Sequence, residues 1–195
     1  MKQLFLTLLA AALVSGCAGG PRQAAAVRFD LGTAGAGAAW RVPLAEIDIQ
    51  AASWLATTAM HYRLAYAEPL RRQDYNESRW AAPPAELLAA FLKRRQARVD
   101  TGGPGCRLHL TLDEFEQHFE DAQTSRIVLE ARAVLLPVRG SDMLARRGFR
   151  IQKPTATADA RGAAAAAREA AVALADELAA WSGGLDPVIV ARCRN

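Results

Sequence analysis

Two long stretches of alternating side chains set the terms on which this chain can fold. Leu108, Leu110 and Leu112 share one face of the first, and Ile127, Leu129, Ala131, Ala133 and Leu135 share one face of the second, with Glu130 and Arg132 turned the other way. Alternation with period two marks strands that have one dry and one wet face. Phe115 and Phe119 fall out of phase with the leucines, so a bulge or bend is expected near Asp113 and Glu114. Arg139-Gly140-Ser141-Asp142 turns the chain, and Met143 to Ile151 reads as a third strand. The dry face of such a sheet needs a cover, and the next segment provides one. Asp159 caps a helix that runs to Trp181, with Ala167, Ala171, Leu174, Leu178 and Trp181 on one side and Gly183-Gly184 as its stop. Its alanine-rich face allows close packing and leaves little room for a ligand pocket.

The upstream half is shorter in its periods. Val27, Phe29 and Leu31 alternate, and Val42 to Ile49 reads as a second strand after a flexible loop. Gly35 and Gly37 in that loop lack the fuller glycine pattern and following helix of a phosphate-binding loop. Ser53-Trp54-Leu55 is a turn leading into a strand with Met60, Tyr62, Leu64 and Tyr66 on one face and His61 and Arg63 on the other. A turn at Glu68-Pro69 leads to a short strand over Leu70 to Asp74. Trp80, Leu87 and Phe91 then fall at helical spacing, with Leu88 and Leu92 one position further round. Pro83 and Pro84 suit the first turn of that helix, Glu86 its positive end and Lys93, Arg94 and Arg95 its negative end. Asp100 to Gly105 is the strongest loop signal, and Val188-Ile189-Val190 is a strand-like tail suited to a sheet edge. The expected fold class is α+β: an antiparallel or mixed sheet of about six strands with two main helices packed on it.

The N-terminus has the form of an export signal. Residues 1–16 carry one lysine, an apolar run from Leu4 to Val14 and small residues at the end, too short to span a membrane permanently. Leu13-Val14-Ser15-Gly16-Cys17 has the pattern of a bacterial lipobox, which makes Cys17 the expected lipidation site and mature N-terminus. Residues 17–26 form the lipidated N-terminus and tether, whose last nine or so residues reach at most about 30 Å. Residues 27–195 form a single domain. Ala18, where an aspartate would signal retention in the inner membrane, leads to the expectation of a lipid-anchored outer-membrane protein whose domain faces the periplasm. Cys106 and Cys193 are then an even pair in an oxidising compartment, hence a disulfide candidate. The alternative is two separate buried thiols, against which stands the polar setting of Cys193, between Arg192 and Arg194.

Tyr75-Asn76-Glu77-Ser78-Arg79-Trp80-Ala81-Ala82-Pro83-Pro84-Ala85-Glu86-Leu87-Leu88, placed after a short hairpin in a small lipoprotein, carries a resemblance. It resembles the ABC-type transport auxiliary lipoprotein family, which includes the lipoprotein of the paraquat-inducible Pqi system and accompanies MCE-type lipid transport machines in Gram-negative envelopes. The likeness extends more loosely from about Val27 to Trp181. It implies a non-enzymatic docking subunit, with an MCE-domain protein as partner and a role in moving lipids or other hydrophobic compounds between membranes. Exposed sheet edges would allow docking by strand addition. Carriage of a lipid ligand by this subunit, and homo-oligomerisation, are weaker expectations. An assembly or activator lipoprotein, regulating an envelope enzyme by protein contact, is the alternative from another class, and a periplasmic hydrolase is a third.

The residues themselves carry no catalytic signature, and no cofactor or metal is expected. His109 and His118 share a strand with Asp113, Glu114, Glu116, Glu120 and Asp121, which invites a metal reading, but no pair has the helical spacing of a metalloprotease motif. A solvated acidic strand face is the simpler account. Ser53, Ser78, Ser125, Ser141 and Ser182 lie outside any Gly-x-Ser-x-Gly elbow. A hydrolase would need His61, His109 and an acid around one pocket. The formal net charge of +4, from 24 basic and 20 acidic side chains, is too small and scattered to argue for nucleic acid.

Overall fold

The computed structural model describes residues 25–37, 40–96 and 103–194. The signal segment, Cys17 and residues 17–24 of the tether lie outside them.

The sheet is organised around one strand. β5 (Cys106–Phe119) pairs along its whole length with antiparallel β6 (Ser125–Pro137), which pairs in turn with antiparallel β7 (Ala145–Pro154). The other side of β5 is shared. β2 (Leu44–Ala51) runs parallel to its first half, and β3 (Ala59–Leu64) runs parallel to its last three residues. β4 (Arg72–Trp80) forms a hairpin with β3, and β1 (Val27–Phe29) lies parallel to β4. The order β1-β4-β3-β5-β6-β7, with β2 added beside β5, makes a mixed seven-stranded sheet, one more strand than the sequence led us to expect. The register of β5 slips between Leu112 and Glu114. That bulge is the one the phase of Phe115 required, and it sits where β2 ends and before β3 begins.

One face of the sheet is covered by α1 (Pro84–Arg95), which packs on β2, and α2 (Ala160–Gly183), which packs on β6 and β7. Leu88, Phe91 and Leu92 from α1, Leu174, Leu178 and the buried alanines of α2, and Leu108, Leu110, Phe115, Ile127, Leu129 and Phe149 from the sheet belong to one buried core. Short side chains at 163, 167, 170, 171 and 175 let α2 lie close against the sheet. Asp159 caps α2 as its sequence suggested, its Oδ1 accepting from Gly162 N at 2.7 Å and Thr157 Oγ1 at 2.9 Å. The approach of Thr157 is also why residue 162 is glycine, since a Cβ there would lie 2.1 Å from the Thr157 carbonyl oxygen.

Two sequence readings are corrected. Trp80 does not belong to the helix: it ends β4 opposite Phe29, is buried, and packs its ring 5.4 Å from that of Phe115. Pro83 and Pro84 hold the residues before them extended, so the helix cannot reach back to the tryptophan. Val188-Ile189-Val190 is not a strand but part of α3 (Pro187–Arg194). Asp186 accepts from Val188 N at 2.7 Å and Pro187 fills the first helical position, a start signal that outweighs the β-branched run. α3 delivers Cys193 to Cys106, with an S–S distance of 2.01 Å, inside a small apolar cluster with Val42 and Leu135. Gly103 holds a positive φ against the backbone of Arg194, where any side chain would collide.

Ala171→Leu is expected to overpack the seam between α2 and the sheet and to lower unfolding free energy by about 1–3 kcal/mol, against little change for the exposed Ala165→Leu, in urea denaturation. Replacing Cys106 and Cys193 together by alanine opens a loop of 87 residues and is expected to cost roughly 4 kcal/mol in the same assay.

Candidate functional site

The sheet face away from the helices carries the titratable side chains. Beyond the bulge, β5 turns Glu114, Glu116 and His118 to this face, and the hairpin brings Arg63 and Arg72 beside them. Glu116 is buried, its side chain 1% exposed, and its carboxylate accepts from three neighbours. Arg63 Nε reaches Oε1 at 3.0 Å, Arg72 Nε reaches Oε2 at 2.7 Å, and His118 Nε2 lies 2.7 Å from Oε1. Arg72 also donates to Glu114 at 2.6 Å and lies over the ring of Trp54, 5.6 Å from its centroid. Burial alone would push the Glu116 carboxyl up, but the hydrogen bonds from His118, Arg72 and Arg63 outweigh it and hold the group down to about 2. At Glu114 burial and the charge of Glu116 prevail over Arg72, and its carboxyl is raised. The acidic strand face expected to be solvated is therefore, at Glu116, a buried and fully paired ion cluster.

The three histidines each find a separate acid. His61 contacts Asp74 at 2.6 Å and the Trp54 carbonyl at 3.0 Å, His109 contacts Asp48 at 2.8 Å, and His118 contacts Glu116. His61 stands beside the Glu116 end of β5, because its neighbour Tyr62 pairs with Gln117. His109 is seven residues up the strand, about 23 Å away, so the two do not line one pocket. Among the described residues no group of three or more His, Cys, Asp and Glu side chains is placed to hold a metal ion. Ser125 and Ser182 are buried in structural hydrogen bonds, to Gln117 and Thr155 and to the Ala179 carbonyl.

The Tyr75 to Trp80 motif is spent largely on packing. Tyr75 donates to Gln117 Oε1 at 2.7 Å and stacks at 4.9 Å from Tyr62, with burial raising its hydroxyl pKa. Arg79 donates to the carbonyls of Tyr75 and Ser78. A hollow of about 490 Å³ lies beside this stretch, between Phe29, Ser78 and Asp159. A second, of about 480 Å³, lies on the open sheet face beside β7, between Arg132, Val134, Met143 and Gly148. The sequence reading missed both this hollow and the partners of Glu116; the available signals were a lone glycine within a strand and arginines recurring on the adjacent hairpin.

No family model and no curated protein matches the sequence. Solved structures do match. The crystal structure of a Xanthomonas campestris protein, described by the family model DUF330, superposes with a TM-score of 0.67 at 21% identity, covering 81% of this chain and 97% of that one. This chain has the fold of that DUF330 protein. A further crystal structure, of an uncharacterized protein, superposes with a TM-score of 0.58 at 13% identity, covering 80% of this chain and 98% of that one. The shared fold thus accounts for nearly the whole length of both neighbours. Within it, no helix among the described residues is long and apolar enough to cross a membrane.

Because Glu116 titrates lower in the folded chain than its ordinary value of 4.5, its stabilising effect is complete above about 4.5 and is lost as pH falls toward about 2. Glu116→Gln is expected to lower stability at pH 7 by on the order of 3 kcal/mol, leaving two arginines short of a counter-charge. The variant should also lose less stability than the parent between pH 5 and pH 2, as read by denaturant titrations across that range.

Proposed function

We propose that this chain is a lipid-anchored docking subunit, an auxiliary lipoprotein of an MCE-type ABC transport system held at the outer membrane by acylated Cys17. Its domain projects into the periplasm and binds the MCE-domain partner that carries lipids or other hydrophobic compounds between membranes. The observation that carries the docking part is architectural. Helices cover one face of the sheet, while among the described residues the other face and the outer edge of β7 are left open to a protein partner. The lipobox ending at Cys17 supports the anchor, and the Tyr75 to Leu88 motif supports the transport family. Glu114, Glu116 and the three histidines are each engaged with a partner of opposite charge, in keeping with a binding surface in place of a reacting centre.

The test is recovery of the full-length tagged chain from its native envelope, with mass spectrometry of what accompanies it. Co-purification of an MCE protein is the expected result; recovery of a cell-wall enzyme without one would replace this reading by the activator alternative. The Cys17→Ser chain is expected to lose radiolabelled palmitate and to leave the membrane fraction.

A further inference from the structure

The outer edge of β7 has three properties that together select a partner. The first is an unused ladder. Thr155 N donates to Ser125 O at 2.9 Å, which marks that pair as a hydrogen-bonded one in the β6–β7 ladder. Such pairs alternate, so residues 153, 151, 149, 147 and 145 also turn their N–H and C=O groups toward β6. Arg146, Gly148, Arg150 and Gln152 consequently turn theirs outward, and among the described residues no strand or side chain takes them up. None of the four is proline, so every donor is present.

The second property is charge. Arg146, Arg147, Arg150 and Lys153 line the strand, and β7 has no acid. Glu130 engages Arg150 at 3.1 Å, and no described carboxylate pairs with Arg146, Arg147 or Lys153. Cationic side chains on an edge discourage a second copy of the same edge, because like charges would come to face each other. The same row attracts an acidic strand.

The third property is the hollow at Gly148. Phe149 and Ile151 face the helices, so Arg146, Gly148 and Arg150 face the open side. Glycine weakens a strand interior, and here neither a positive φ nor a neighbour demands it: a Cβ at 148 would meet nothing within 4 Å. Its absence leaves the space bounded by Arg132, Val134 and Met143, the last with 53% of its surface exposed.

We propose that the outer edge of β7 docks an extended acidic segment of a protein partner. The segment adds to the sheet beyond β7 and carries acid, large apolar or aromatic, acid at alternate positions. The acids pair with Arg146 and Arg150, and the residue between them lies over Gly148 in the hollow. This deepens the docking reading and rests on it, but its test does not depend on which envelope protein is recovered.

The experiment measures fluorescence anisotropy of a labelled synthetic peptide on the full-length chain in detergent micelles. The probe alternates threonine and valine with glutamate, tyrosine and glutamate; one control replaces the glutamates by lysine, and another is N-methylated at alternate amides. The acidic peptide is expected to bind, the lysine peptide not to, and N-methylation to weaken binding by about tenfold or more. Gly148→Pro removes only an outward N–H and should weaken binding similarly while leaving the β6 ladder intact. Arg146→Glu with Arg150→Glu should abolish it. No binding of the acidic peptide, equal binding of the lysine peptide, or indifference to N-methylation would each overturn the proposal.

Discussion

Everything in this fold leans on the double-sided pairing of β5. One strand cannot present 14 residues to a single straight partner on each side unless both partners match its length, and only β6 does. On the other side β2 and β3 divide the work, and the slip at Asp113 marks the change of phase between them. A single extra residue thereby keeps Leu108, Leu110 and Leu112 on the same face as Phe115, so that one core runs continuously beneath α1 and α2. It also decides which side chains face the other way. Without it Glu116 would point into the helical layer, away from Arg63 and Arg72.

The ion cluster on the open face shows why a list of acids and histidines is a poor guide to chemistry. A metal site needs several ligands turned to one point, whereas here each histidine is taken by its own carboxylate and Glu116 is saturated by arginines. Arginine is suited to this use because its fork of donors can hold two carboxylates at once, as Arg72 does with Glu114 and Glu116. Such a cluster joins β3, β4 and β5 across a face that none of the described helices covers, and it fixes the hairpin on the sheet by charge where the rest of the domain relies on burial.

What could be read from the chain and what could not follow from range. Strands β5 to β7, the bulge, and the capped helix over Leu174 and Leu178 rest on patterns repeated within a few residues, and they were legible. The pairing of Cys106 with Cys193 was legible by counting thiols in a chain whose first residues read as an export signal. The seating of β2 and β3 along one edge of β5 was not legible, because parallel pairing leaves no local trace. The arginine partners of Glu116 lie 44 and 53 residues away in sequence, and its own neighbourhood reads as a row of acids on a wet strand. At α3 two local signals conflicted: a β-branched triplet and an Asp-Pro helix start. The backbone followed the helix start, with Asp186 accepting from Val188 N and Pro187 in the first turn.

The placement of β1 and β7 at opposite ends of the sheet order has a consequence for reach. The tether enters at β1, and the open ladder is five strand spacings away, about 24 Å across the sheet. For a chain held by Cys17, the tether adds at most about 30 Å to that distance. Under the proposed anchor the open edge would explore a shell of roughly 50 Å from the leaflet, a short leash: a partner would have to come up to the membrane to be caught, and once caught would be kept there.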